Sequence, residues 1–172
     1  RDLDIAIQGH GMIAVQARDG GEAYTRDGHL TMTDEGFLQT PNGDLVLGDA
    51  GPVSLPLPVN NIQITKDGTI MVQPAGAPSN IQEEVGRIKL VNPETRTLVR
   101  GNDGLFRGGN GINEDADVSI VVQSGMLESS NVNPVSEMTE MISIQRQFEM
   151  QLKLMKTAEE IDSASASLLR AF

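Results

Sequence analysis

Histidine is the side chain most often recruited for proton transfer and metal binding near neutral pH, and this chain has only His10 and His29, each close to a glycine. No HExxH spacing or supporting carboxylate accompanies them, so both read as exposed turn residues. Gly9-His10-Gly11 has the small residues of a phosphate loop, yet no helix-forming segment follows it; a hairpin with two flexible residues is the better expectation. In Gly108–Asp117, calcium could use Asn113, Glu114, Asp115 and Asp117. That loop lacks the alternating acidic order and closing bidentate glutamate of a calcium loop, and it reads as solvated. No serine stands in G-x-S-x-G. Carboxylates are plentiful enough for a glycosidase pair, but nothing in their spacing singles one pair out. The expectation is no catalytic residue, no metal and no cofactor.

Composition narrows the classes further. The 172 residues include 24 acids against 13 Lys plus Arg, no cysteine, no tryptophan and 3% aromatics. Any core must therefore be aliphatic, and neither disulfides nor thiolate metal sites are available. A net charge of −11, with no basic patch, argues against nucleic acid and anionic membranes as partners. No apolar run reaches the roughly 18–20 residues that span a bilayer, and no signal peptide is visible. Arg1-Asp2 leads straight into the strand-like Leu3–Ile7, from which we expect that an N-terminal portion has been removed.

The elements that would position any site fall into two regions. Through the first two-thirds, turn dipeptides recur: Asp19-Gly20, Asp27-Gly28, Glu35-Gly36, Asn42-Gly43, Asp67-Gly68 and Asp103-Gly104. Such pairs supply the positive φ that tight hairpins need. Strand-like runs lie between them at 12–16, 22–26, 61–65 and 69–73, with 84–91 and 118–122 as further sheet members. Three prolines make 52–58 an extended crossover, and Pro74–Pro78 is a second loop. Leu105-Phe106 is expected to pack inward. The prediction is a mainly β fold: an antiparallel β-sandwich or partly closed barrel over 1–124, followed by a connector and a long C-terminal α-helix over 125–172. The strand region holds nine basic against seventeen acidic residues, so charge marks no localised ligand patch.

The helix expectation is the sharpest. Asn133 is suited to cap a first turn and Pro134 to occupy its first position. From Val135 to Phe172 neither glycine nor proline intervenes. Met141, Ile144, Phe148, Leu152, Met155, Ala158, Ile161, Ala164, Leu168 and Phe172 recur at steps of three or four, a helical seam. Some 38 residues would extend roughly 57 Å, whereas a compact chain of this size has a diameter of only about 40 Å. An apolar stripe that long needs partners. Against this stands a Thr157/Glu160 capping box followed by Ser163-Ala-Ser-Ala-Ser167, which would break the helix and allow a hairpin folded back on the domain. Glu149 with Lys153, and Arg146 with Glu149, read as solvated ion pairs.

Those same residues resemble a known family. Asp4-Ile-Ala-Ile-Gln-Gly-His-Gly11, Tyr24-Thr-Arg-Asp-Gly28 and Thr40–Gly48 are similar to the β-domain signature of bacterial flagellar hook and rod proteins. Ser130-Asn-Val-Asn133, followed by Glu137-Met138, Met141-Ile142, Gln145-Arg146 and Phe148-Glu149, is similar to that family's C-terminal signature. Val85–Val91, Arg100–Arg107 and Phe148–Lys153 look most like its proximal-rod branch, although Gly11-Met-Ile13 stands where distal relatives usually have Gly-Phe-Phe. The resemblance implies a structural, self-assembling subunit of the periplasm-crossing rod of the flagellar basal body. It also implies export by the flagellar apparatus without a cleaved signal peptide, with other rod subunits and copies of itself as partners. The family's N-terminal helix and its Ser-Asn-x-x-Asn-like segment have no counterpart in these residues.

The assembly surface expected on this reading comprises Asn131, Asn133, Met138, Met141, Ile142, Gln145, Phe148, Leu152 and Met155. The asparagines set the angle between sheet and helix, and pliable methionines suit slightly non-equivalent helix contacts. From the residues alone, an extracellular β-rich carbohydrate-binding or hydrolytic module with a helical tail stays open as the alternative.

Overall fold

A computed structural model describes residues 1–76, 78, 81–109 and 111–169, the side chains of 167–169 excepted. Its strands are β1 (Ile5–Gln8), β2 (Met12–Gln16), β3 (Glu22–Thr25), β4 (Thr31–Met32) and β5 (Leu38–Gln39). They continue with β6 (Leu45–Gly48), β7 (Gly51–Pro52), β8 (Val59–Ile64), β9 (Thr69–Pro74) and β10 (Glu83–Arg87). The last are β11 (Leu90–Val91), β12 (Leu98–Arg100), β13 (Phe106–Gly108) and β14 (Val121–Ser124), after which comes the helix α1 (Pro134–Leu169). Contacts divide the chain into two units, Arg1–Glu128 and Ser129–Phe172.

Every strand pair in the first unit is antiparallel. The large sheet runs β12-β13-β3-β2-β6-β5-β4, with β11 beside β2 and β7 beside β6. A three-stranded sheet (β10-β9-β8) and the pair β1-β14 complete the unit, and these sheets do not close into a barrel. One aliphatic core joins all three: Ile5, Ile7 and Val122 meet Ile13, Val15 and Val46 from the large sheet and Ile64, Ile70 and Val72 from the small one. Alternation along β2 aims Ile13 and Val15 into this core, while Ala14 faces a second cluster with Tyr24 and Val91.

The turn dipeptides do most of the local folding. In Ala17–Gly21, Thr33–Phe37, Thr40–Asp44, Thr65–Thr69 and Gly101–Leu105, the first residue's N–H donates to the fifth residue's carbonyl. The fourth residue's N–H donates back to the first residue's carbonyl. That fourth residue is always glycine, with φ between 83° and 89°. The Asp67 carboxylate accepts from the hydroxyls of both Thr65 and Thr69, which holds it near pKa 2.

Four local expectations need correction. Asp27-Gly28 makes no such hairpin: the Gly28 carbonyl accepts from Ile5 N–H at 2.9 Å. A Cβ there would lie 1.7 Å from the Ile5 oxygen, so close approach of the backbones requires the glycine. Gly9-His10-Gly11 does not join paired strands, because β1 pairs with β14 while β2 pairs with β3, β6 and β11; the segment carries the chain from one sheet to another. The run 84–91 divides between β10, on β9, and β11, on β2. The expected 118–122 strand lies instead at Val121–Ser124, since Asp117 accepts from the Ser119 N–H and hydroxyl in a turn. Leu105 is buried as expected.

Tyr24 ties the calcium-like loop to the large sheet. It is 1% exposed, donates to Glu22 at 3.1 Å and accepts from the Glu114 N–H at 2.8 Å. Glu22 is also gripped by Lys89 Nζ at 2.8 and 2.9 Å. Burial, with the neighbouring Glu22 charge, pushes the phenol up to about 12 from its ordinary 10.0. The folded state therefore retains a proton that the unfolded chain releases. Stability from this group is complete below about pH 10 and falls as pH climbs towards 12. In chemical denaturation between pH 9 and 12, Tyr24→Phe should flatten this part of the profile; an unchanged slope would contradict the account.

Candidate functional site

The chemistry-bearing residues do not assemble into a site. His10 is exposed, and His29 Nδ1 lies 3.5 Å from Asp4 Oδ1 at the entry to β1. Among the described residues no three His, Asp or Glu side chains gather as metal ligands. In the calcium-like loop, of which Asn110 lies outside the described residues, Asp117 serves its own turn and Glu114 offers its backbone to Tyr24. No helix is long and apolar enough to cross a membrane among the described residues.

What the molecule does present is α1. The Asn133 Oδ1 accepts from the N–H groups of Val135 at 3.0 Å and Ser136 at 3.4 Å, while its carbonyl accepts from Glu137 N–H at 3.1 Å. These bonds satisfy amides that an uncapped first turn leaves without partners, and Glu137 complements the positive end of the helix dipole. Asn133→Ala should cost about 1 kcal/mol of local helix stability. Faster amide exchange at 135–137 would register it; exchange identical to the parent would exclude the capping role.

The helix then runs 36 residues without interruption, about 54 Å. Thr157 does not cap a second helix; its hydroxyl donates back to the Lys153 carbonyl at 2.9 Å, inside a continuous helix. The expected ion pairs are also replaced: Glu149 accepts from Gln145 at 3.4 Å.

Met138, Met141, Ile142, Phe148, Leu152 and Met155 are all exposed, Phe148 at 60%. Gln145, Asn131 and Asn133 are exposed as well. These positions do not share one face. Advancing about 100° per residue, Met141, Ile144, Phe148, Leu152 and Met155 fall within an arc of about 80°, with Gln145 at its margin. Met138 and Ile142 lie to one side of that arc. Met150 and Leu154, at 61% and 70% exposure, form with Ile161 a second stripe on the other side. Sequence reading passed over Met150 and Leu154 because it followed one chain of three- and four-residue steps; their own spacing of four was the available signal. Leu168 as a side chain, and Phe172, lie outside the described residues.

In the middle of the helix charge is confined to one arc, which it shares with Ile142. Between Met141 and Ala158 the charged residues Arg146, Glu149, Lys153 and Lys156 all fall within an arc of about 80°. Over that stretch roughly three-quarters of the circumference carries no charge, whereas Glu137, Glu159 and Asp162 fall on the Met141–Phe148 arc nearer the ends of the helix. A lone amphipathic helix covering a single core has one apolar stripe; a helix apolar on several sides is suited to burial among neighbours.

Residues 123–168 match the family model "Flagellar basal body rod FlgEFG protein C-terminal", and residues 6–72 match "Flagellar hook protein FlgE/F/G D1 domain". The chain is 42% identical over 175 residues to the flagellar basal-body rod protein FlgF of Salmonella typhimurium, covering 98% of this chain and 69% of the relative. The chain belongs to the FlgF/FlgG family of flagellar basal-body rod proteins. FlgF of Escherichia coli is 41% identical over the same shares, and FlgG of Bacillus subtilis is 31% identical over 99% of this chain and 66% of its own length. Members of this rod family are structural axial subunits rather than enzymes, which removes the hydrolytic alternative. As one of them, the chain is a structural subunit that assembles with other axial proteins into the basal-body rod.

Proposed function

We propose that this rod subunit is of the proximal, FlgF type and joins the rod through its C-terminal helix. The strand region, 1–124, acts as a rigid outer spacer, and 125–172 as connector and axial helix. Met141, Phe148, Leu152 and Met155, with Ile144, supply the main helix–helix contacts. Met138, Ile142 and Gln145 contribute beside them, and Asn131 and Asn133 shape the entry to the helix. A heterologous contact of this kind, repeated by a screw operation, builds an open filament rather than a closed ring. Passage through the flagellar export apparatus without a cleaved signal peptide, into a rod crossing the periplasm, completes the reading.

The observation that carries it is the middle of α1, between Met141 and Ala158, where charge is held to one arc and exposed Met, Leu, Ile and Phe stud the rest. Each such side chain gains about 1.5–3 kcal/mol when a neighbour covers it fully. The deciding experiment places a charge at the centre of that surface, Phe148→Asp, and counts assembled rods.

A further inference from the structure

Arg26 belongs to none of the surfaces above, yet its guanidinium is among the most committed groups in the molecule. Nη1 donates to the carbonyls of Gly9 at 3.1 Å and Gly11 at 2.9 Å, and Nη2 to Ile7 at 3.4 Å. Nε donates to the Glu128 carboxylate at 2.7 Å, and Nη2 lies 2.7 Å from the same oxygen. The platform beneath it is firm. Gly11 has φ +134° and sits where a Cβ would meet the buried Ile120 at 2.9 Å, and Arg26 directly follows β3.

Glu128 reaches this platform by a reversal of the chain. β14 runs antiparallel to β1, and Gly125 N–H donates to the Asp4 carbonyl at 2.7 Å. At Gly125 φ is +78°, and the following residues return so that Glu128 meets the Arg26 group bound to Ile7, Gly9 and Gly11. Met126 and Leu127, at 54% and 48% exposure, do little to hold this return in place. Glu128 is also the last residue of the first compact unit.

We infer that Arg26 is a positioning residue for rod assembly: by gripping Glu128 it shortens the free connector ahead of α1. The inference rests on the helix-mediated assembly proposed above. With the grip closed, the free segment is Ser129–Asn133; without it, the segment begins at Met126. At about 3.5 Å per residue its greatest reach grows from roughly 18 Å to roughly 28 Å. A longer flexible link lowers the effective concentration of the helix at its docking position, here by about two- to fourfold for each joining subunit. An exposed ion pair ordinarily contributes little, because two mobile side chains must be ordered to make it. Here three carbonyls already order the arginine.

The test uses Glu128, whose replacement leaves the carbonyl contacts of Arg26 intact. The chain has no cysteine, so Gln8→Cys with Ser129→Cys accepts a nitroxide pair cleanly. Glu128→Ala should at least double the width of the measured distance distribution, with Glu128→Gln in between and the melting of the β unit unchanged. In cells making the complete protein, Glu128→Ala should reduce assembled rods at least threefold. An unchanged distance distribution overturns the grip. A broadened distribution with parental rod numbers overturns its role in assembly. Phe148→Asp run alongside separates the two readings, since rods that survive that charge remove the helix surface itself, whatever Glu128 does.

Discussion

Phe148→Asp is expected to abolish rod assembly while leaving the β unit as stable as before. Phe148 sits mid-helix, 60% exposed in the chain by itself, flanked on its own arc by Ile144, Leu152 and Met155. Changing an exposed helical residue alters folding stability by roughly 0.5 kcal/mol or less, and the helix-propensity difference is a few tenths. Inside a helix–helix contact the balance is different. The carboxylate must shed its water, at an effective cost of several kcal/mol, and among the described residues no cation lies on the Ile144–Leu152–Met155 arc to pair with it. The favourable burial of the ring, about 1.5–3 kcal/mol, is lost as well. A filament meets this penalty at each subunit that carries the change. Electron microscopy of basal bodies, with circular dichroism melting of the isolated chain, separates the two effects. Parental rod numbers would remove the apolar surface as the assembly element; a collapsed melting curve would show that the residue serves the fold instead.

Gly28→Ala should be the most damaging conservative change in the β unit. A methyl at this position would stand 1.7 Å from the Ile5 carbonyl oxygen and 2.7 Å from its carbon, both backbone atoms. Ile5 is fully buried, pairs with Ser124 through β1-β14, and donates its N–H to the Gly28 carbonyl. No rotamer change can relieve such a clash; β1 itself must shift out of the core. Overpacking typically costs 1–3 kcal/mol, and a backbone collision combined with a stretched hydrogen bond places this substitution at about 3 kcal/mol or more. Gly20→Ala is the control. Its φ of +83° imposes left-handed strain of about 1–2 kcal/mol, but nothing lies within 4 Å of the new methyl. Thermal melts should rank Gly28→Ala well below Gly20→Ala. The opposite order would mean that conformational strain, rather than contact, governs these glycines.

Local physics wrote several features into the chain openly. Asn133-Pro134 and the glycine-free stretch after it specify one long helix, because capping and helix continuation depend on near neighbours. The Asp-Gly, Glu-Gly and Asn-Gly hairpins were legible for the same reason, each closing within five residues. The aliphatic character of the core followed from a composition almost without aromatic residues. Two separated stretches with family likeness are enough to point to a rod protein.

Which strands are neighbours emerges in the folded molecule, and with it the meaning of Gly28, Gly11 and Arg26. Asp27-Gly28 is spelled like the other turn dipeptides; its different role comes from Ile5, which the fold brings across from another strand. The 84–91 run divides because β9 and β2 compete for its two halves from different sheets. Arg26 finds Glu128 at a separation of 102 residues, a pairing that no spacing rule could anticipate. The helix and the turns are encoded locally, since they arise from neighbours along the chain, and composition sets the kind of core. Sheet partnership and the Arg26 grip belong to the fold, since long-range pairing is settled only when the buried faces of all the strands are satisfied together.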